Sequence, residues 1–386
     1  MNKDMIDKLL GEVFLELSEA MKSGSFGKKT KIALTILGGE HGIDEMLKAA
    51  YMAKSRYPEV ELVLIGPKSS EDFTFVEAKT PEEGHKIMVE LLDRGEVQGA
   101  VTQHFDFPIG TSTMGKVITP AKGKEMIIGS TTGTSAVNRV EAMVLNTIGA
   151  IATAKANGIM SPKVGILNIE GARKTEIILK ELKEKGYPIE FAGSQRADGG
   201  AVMRGNDLLM GTPDIMICDS LTGNLLIKLF SSFNTGGSYE TLGGGYGPGV
   251  GDGYDKVVNI VSRASGAPLI AEAIKYCADS AKNNIVEIAK EEYHKAKECG
   301  LEEILANHLK VKEESSEEEV KMPPKQVVTY SIAGIDILEL ENACRALWKE
   351  NIYSESGMGC TGPIVLVPEN EGARAEQILV KAGFRA

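Results

Sequence analysis

Positive charge is in short supply. The 386-residue chain carries 43 Lys and Arg against 54 Asp and Glu, a net charge of −11. A nucleic-acid binder needs a basic face, so the balance speaks against that class. Long apolar runs are missing too: no uncharged stretch approaches the ~20 residues of a membrane span. The nearest, at 136–156, contains Asn138, Arg139 and Glu141. The opening stretch "MNKDMIDKLLGEVFLELSEAMKSG" carries acids throughout and lacks the apolar core of a secretory signal. The expectation is a soluble cytoplasmic protein with no membrane or nucleic-acid partner. Cysteine is sparse: residues 218, 277, 299, 344 and 360, an odd number with no CxxC spacing. That argues against a disulfide framework and a zinc site. Histidines 41, 85, 104, 294 and 308 are scattered, with no HExxH, so no metal is expected. No GxxxxGK[ST] occurs, and no GxGxxG sits between a strand and a helix, so a mononucleotide fingerprint is lacking.

What the chain has is 42% hydrophobic residues and 43 glycines, enough for one large α/β domain or two to three smaller ones. Residues 4–22 read as an amphipathic helix, with Ile6, Leu9, Leu10, Val13, Phe14, Leu17 and Met21 on one face. From about residue 30, strand-like runs alternate with helical ones: "KIALTILGG", "ELVLIGP", "GAVTQ", "KEMIIGS", "KVGILNI", "IEFAGS" and "DIMICDS" are the strands. A long helix is expected at 135–156, and two more at about 268–282 and 283–309. This alternation implies an α/β fold, a mostly parallel sheet with helices on both faces. The segment "VKEESSEEEVKMPPK", 311–325, is acidic, aperiodic and ends in Pro-Pro, and reads as a solvated linker. Beyond it, two strand-like and two helical runs form a small C-terminal α+β module. The expected division is 1–28 (helix), 29–310 (α/β body), 311–325 (linker) and 326–386 (module).

Four stretches could carry chemistry. "GSTTGTSAVNR", 129–139, reads as a strand delivering a Gly/Ser/Thr turn straight into a helix. Free N–H groups there, with the hydroxyls of Thr132, Thr134 and Ser135 and the guanidinium of Arg139, would hold an anion. The plain alternative is a capped helix with Arg139 in a surface ion pair. In "CDSLTGNLLIK", 218–228, another strand meets a helix near Asn224, and ligands collect beyond such strand ends. The alternative is a well-capped turn with Lys228 as a solvated side chain. Cys218, inside an apolar run, reads as core. The third stretch, 241–263, holds seven glycines and closes on Ser262 and Arg263. It is long for a loop, which points to function or to a flexible lid. In the fourth, "YSESGMGCTGP", Cys360 sits in a glycine-rich loop whose N–H groups could stabilise a thiolate or an acyl oxyanion. The alternative is a turn with an incidental cysteine.

Three of these stretches, in order, resemble phosphotransacetylases and, more distantly, the phosphate acyltransferases of phospholipid synthesis. The matching residues are "GSTTGTSAVNRVEA", "PDIMICDSLTGNLLIKL" and "YGPGVGDGYDKVVNIVSR". The resemblance implies that Arg139, Ser262 and Arg263 hold phosphate and the acyl oxygen, with Thr222, Gly223 and Asn224 lining the same cleft. Phosphotransacetylases also carry an Asp shortly after Ser-Arg as base for the coenzyme A thiol. Here Leu269 stands near that place and residues 264–270 hold no acid. Over its whole length the chain resembles the α-subunit family of component C of the glycine/sarcosine/betaine reductase complex, with "SGMGCTGP" the nearest match. That resemblance implies no cofactor beyond inorganic phosphate as substrate, Cys360 as the acetyl-carrying thiol, and release of acetyl phosphate. It implies as partners a ketoacyl synthase-like β subunit and the selenoprotein component A, in an oligomer. The readings that compete with it are a free phosphate acyltransferase, a non-catalytic scaffold subunit and a redox thiol.

Overall fold

The computed structural model describes residues 29–68, 70–195, 199–309, 320–336, 339–359 and 362–385, with positions 11, 13–15, 17, 18 and 21. Twelve strands form one sheet: β1 (Thr30–Thr35), β2 (Val60–Gly66), β3 (Thr74–Glu77), β4 (Gly99–Thr102), β5 (Thr111–Ile118), β6 (Glu125–Thr134), β7 (Lys163–Leu167), β8 (Glu190–Phe191), β9 (Val202–Met203), β10 (Ile215–Ile217), β11 (Gly247–Gly251) and β12 (Val258–Ile260). Their order is β3-β2-β1-β4-β12-β11-β5-β6-β10-β7-β8, with β9 also on β7. The outer strands pair in parallel on both sides. The central pairs β12/β11, β11/β5 and β5/β6 are antiparallel. The sheet is therefore two parallel halves of opposite direction, joined through β11 and β5.

Helices cover both faces, and the strand residues sort between them with period two, as side chains of a strand must. In the first half Ile32 and Leu34 pack with helices Ile43–Arg56 and Ala267–Lys282, while Ala33 packs with helix Pro81–Asp93 on the other side. In the second half Ile127, Ile215 and Ile217 meet helix Arg139–Ala156, while Met126, Ile128, Met216 and Cys218 meet Ile227 and Phe230 of helix Ser220–Ser232. Strands buried on both faces read as continuous apolar runs, which is why β1 and β2 were plain in the sequence. The parallel α/β architecture expected from the alternation is present.

Three expectations are corrected. The glycine-rich stretch 241–263 is no lid: it supplies β11 and β12 at the centre of the sheet. Its glycines permit close backbone approach; a Cβ on Gly247 would stand 1.8 Å from the Met114 carbonyl oxygen. The stretch after "KEMIIGS" is not a turn into a helix. β6 continues to Thr134, and the helix starts at Arg139 behind the cap residue Asn138. The helix expected at 283–309 is two, Ile285–Glu298 and Leu301–Leu309, divided at Gly300, whose φ of 85° leaves the right-handed region.

At the C-terminal end, β13 (Tyr330–Ala333), β14 (Glu355–Gly359) and β15 (Gly362–Val367) form an antiparallel sheet, order β13-β15-β14, over helices Leu340–Lys349 and Gly372–Lys381. It has its own apolar cluster, including Ile332, Leu347, Val365 and Leu379. β14 was unforeseen, because "ESGMG" reads as a loop. The module touches the body where the Gly171 N–H donates to Asp336 Oδ2 at 2.9 Å. Cys360 and Thr361 lie outside the described residues, as do 310–319 of the acidic stretch and most of the N-terminal 28. Residues 320–325 have no regular secondary structure.

Candidate active site

A cleft of about 390 Å³ opens where the two halves of the sheet meet. From the first half it takes residues 103–107, which follow β4, and Ile260, Val261 and Ser262, which end β12. From the second it takes Thr132 and Gly133 of β6 and, on helix Ser220–Ser232, Asn224 and Lys228. Tyr246 closes the list.

The helix reaches the cleft for a stated reason. Asp219 caps it, accepting from the Thr222 N–H at 3.0 Å and from the Thr222 hydroxyl at 2.9 Å. Gly223 then presses on β6: a Cβ there would stand 1.8 Å from the Ser130 carbonyl oxygen. Asn224 Nδ2 donates to the Thr131 carbonyl at 3.2 Å, fixing the helix against β6. One turn on, Lys228 Nζ lies 3.4 Å from Ser262 Oγ and 3.7 Å from Glu240 Oε1.

The Ser262 turn is held from beneath. The Ser262 N–H donates to Ser265 Oγ at 3.0 Å, and Ser265 Oγ donates to Glu240 Oε2 at 2.8 Å. Ser262 Oγ accepts from the Ala264 N–H at 3.1 Å. The loop after β1 braces the outside: the Glu40 N–H donates to the Arg263 carbonyl at 2.8 Å, and His41 Nε2 to the Ala264 carbonyl at 3.1 Å. Burial pulls the Lys228 ammonium toward neutrality, but Tyr246 and Glu240 outweigh it, and its pKa lies above the ordinary lysine value. Burial, and after it Glu240, push the Tyr246 phenol up against the pull of Lys228, so its hydroxyl keeps its proton. That hydroxyl is buried and has no hydrogen-bond partner among the described residues. The cleft thus presents an ammonium, a serine hydroxyl and an unspent phenolic donor on one wall. This is a set that suits an anion.

The residues singled out from the sequence fare differently. Ser262, Asn224 and Thr132 line the cleft. Gly223 and Thr222 support its wall without lining it. Arg263 follows Ser262 but is exposed and is not among the lining residues. The anion site read at residues 129–139 is not assembled. Thr134 is exposed at the end of β6; Ser135 is buried, donating to Asn146 Oδ1 at 2.6 Å and bonded to Ser112. Asn138 takes the Val140 and Glu141 N–H groups, and Arg139 is paired with Glu170. Because β6 continues, the hydroxyls and the guanidinium no longer converge. Sequence reasoning missed Lys228, Glu240, Tyr246, His104 and Asp106. The Tyr-Gly-Pro of the third matching stretch pointed toward Tyr246. Nothing local marked Glu240. Cys218 and Cys277 are fully buried, and burial pushes both thiols up, Cys277 to about 12. Neither is poised to act as a nucleophile.

A family model described as "Fatty acid synthesis protein" matches residues 30–366. The chain is 55% identical over 382 residues, 99% of each protein, to the glycine/sarcosine/betaine reductase complex component C subunit alpha of Peptoclostridium acidaminophilum. The chain belongs to this family. It is also 27% identical over 237 residues to a phosphate acyltransferase of Thermotoga neapolitana, 51% of this chain and 68% of that one. A phosphate acyltransferase of Thermus thermophilus is 25% identical over 237 residues, 52% of this chain and 70% of that one. Among solved structures, a branched-chain phosphotransacylase from Enterococcus faecalis aligns with a TM-score of 0.46 at 15% identity, covering 65% of this chain and 99% of that one. In this family member Leu269, where an acid was sought, is wholly buried. Glu240 places a carboxylate behind the Ser262 turn.

Proposed function

We propose that the chain is the acyl-to-phosphate subunit of a glycine/sarcosine/betaine reductase component C, releasing a two-carbon acyl group as acetyl phosphate. The observation that supports this most is the Lys228–Ser262–Glu240 arrangement in a cleft between the sheet halves, in a chain whose relatives include phosphate acyltransferases. Inorganic phosphate sits against Lys228, with the Tyr246 and Ser262 hydroxyls as further donors and the exposed Arg263 at the rim. The acyl group arrives as a thioester on Cys360. Phosphate oxygen attacks its carbonyl carbon, the C–S bond breaks and the thiol is regenerated. Holding both reactants in one cleft replaces an encounter in solution by an oriented one. The partners in this reading are a ketoacyl synthase-like β subunit and the selenoprotein component A, which deliver the two-carbon unit, and the chain works in the cytoplasm.

The test is direct. The purified full chain is incubated with acetyl phosphate, digested, and mapped by mass spectrometry. An acetyl group on Cys360 that phosphate or arsenate removes is the expected result. Absence of any cysteine adduct sinks the covalent route. Acyl transfer from acyl-coenzyme A that Cys360→Ser leaves intact points instead to a free phosphate acyltransferase, the activity its 27%-identical relatives are named for.

A further inference from the structure

The cleft has a second polar wall. Residues 103–107 follow β4 without regular secondary structure, with Phe105 and Phe107 half-buried and His104 and Asp106 exposed. The two phenylalanine rings meet edge to face at 5.1 Å and pack into the apolar clusters on that side of the sheet. Phe107 also lies against Gly249 of β11, where a Cβ would come within 2.3 Å of the ring. The His104 carbonyl is tied as well: it accepts from the Thr102 hydroxyl at 3.3 Å, and that hydroxyl accepts from Thr35 at 2.8 Å and sits 3.1 Å from His85 Nε2. The segment is anchored from below, and its two polar side chains stand over the same cleft as Lys228 and Ser262.

His104 Nε2 lies 3.2 Å from Asp106 Oδ1. A carboxylate beside one ring nitrogen steadies the imidazole, the side chain suited to taking and returning a proton. The other groups facing His104 are known. His85, from helix Pro81–Asp93, has its ring centre 6.3 Å away. Across the cleft stand the Lys228 ammonium, paired with Glu240, and the protonated Tyr246 phenol.

Resting on the acyl-transfer reading above, we infer that His104, oriented by Asp106, is the proton carrier of the phosphate step. The balance requires one. Monohydrogen phosphate attacks the thioester carbon, a C–O bond forms, the C–S bond breaks, and the products are acyl phosphate and thiolate. The proton that phosphate loses is the one sulfur needs. His104 takes it from the phosphate and returns it to sulfur, so no net proton enters or leaves. This gives the cleft a base although Leu269 stands near the place where an acid was sought.

The experiment is exchange of 32P-labelled inorganic phosphate into acetyl phosphate, catalysed by the full chain. His104→Gln is expected to lower kcat by about a hundredfold or more with the phosphate KM held within about threefold, the split expected for a group that acts in the transition state. Free imidazole should restore part of the rate to His104→Gly and none to Lys228→Ala. Exchange in the wild type that His104→Gln retains at a similar kcat overturns the inference and leaves the acyl-transfer reading standing. Absence of exchange in the wild type overturns both. A circular dichroism melt matching wild type separates chemistry from folding in each variant.

Discussion

Two strand-to-helix crossings in this chain look alike as sequence and differ as structure. Residues 129–139 and 218–228 each run from an apolar strand through Ser, Thr and Gly toward a helix bearing a cation. At the first, the strand continues to Thr134, and Asn138 satisfies the helix N–H groups. Arg139 turns to Glu170. At the second, the strand stops at Ile217, Asp219 caps, and the cation stands two turns into the helix, at Lys228, where the helix flank faces the cleft. A helix start whose donors are met by its own cap has little left to offer a ligand. A cation along the helix flank keeps its charge free of the cap, and a buried acid such as Glu240 can hold it in place.

The largest effect expected from breaking this comparison is at Gly223. A Cβ 1.8 Å from the Ser130 carbonyl oxygen cannot be absorbed by a side-chain shift, since the obstacle is backbone. Gly223→Ala should cost about 3 kcal/mol in urea unfolding and displace Lys228 and Asn224 together, removing phosphate exchange. A variant of wild-type stability and activity would mean that the helix does not rest on β6 as described.

The cations themselves come next. Lys228→Ala removes a charged donor from the proposed anion site, worth about 1.5–3 kcal/mol, so kcat/KM for phosphate should fall roughly 10- to 150-fold. Arg139→Ala breaks only an exposed pair, worth about 1 kcal/mol at most, and should leave phosphate exchange within about twofold. The opposite ranking, with Arg139→Ala the more damaging, would restore the first crossing as the anion site.

How far this could be read from the sequence depended on what kind of contact decides each element. The parallel strands showed themselves because both of their faces are apolar, and the helices because their stripes repeat. The central strands β5 and β11 did not. "TSTMGKVI" and "GPGVG" pack by backbone approach, which leaves glycine and threonine where a strand reader looks for valine and isoleucine. The site divides the same way. Ser262, Asn224 and Thr132 were legible as polar residues at strand and helix ends. Lys228 read as solvated because its partners, Ser262 and Glu240, lie 34 and 12 residues further along the chain. Only the folded sheet brings them together.

In the proposed site Lys228 rather than Arg139 meets the phosphate, and the reason rests on Glu240. Glu240 is buried, with Ser265 on one oxygen and Lys228 near the other. Burial alone would lower the Lys228 pKa, and Tyr246 and Glu240 reverse that. The sign follows: a lysine whose folded pKa is raised keeps its pairing below its ordinary value, about 10.4, and loses it only as pH climbs through the raised one. Glu240→Gln keeps the Ser265 contact available but removes the negative charge. The ammonium then loses its proton at lower pH, and the alkaline rise in phosphate KM should begin earlier than in wild type. At neutral pH, where lysine stays charged in both, the change in KM should be modest. Titrating phosphate KM from neutral pH to pH ~11 checks this, and superimposable curves would show that Glu240 holds the Ser262 turn without tuning the cation.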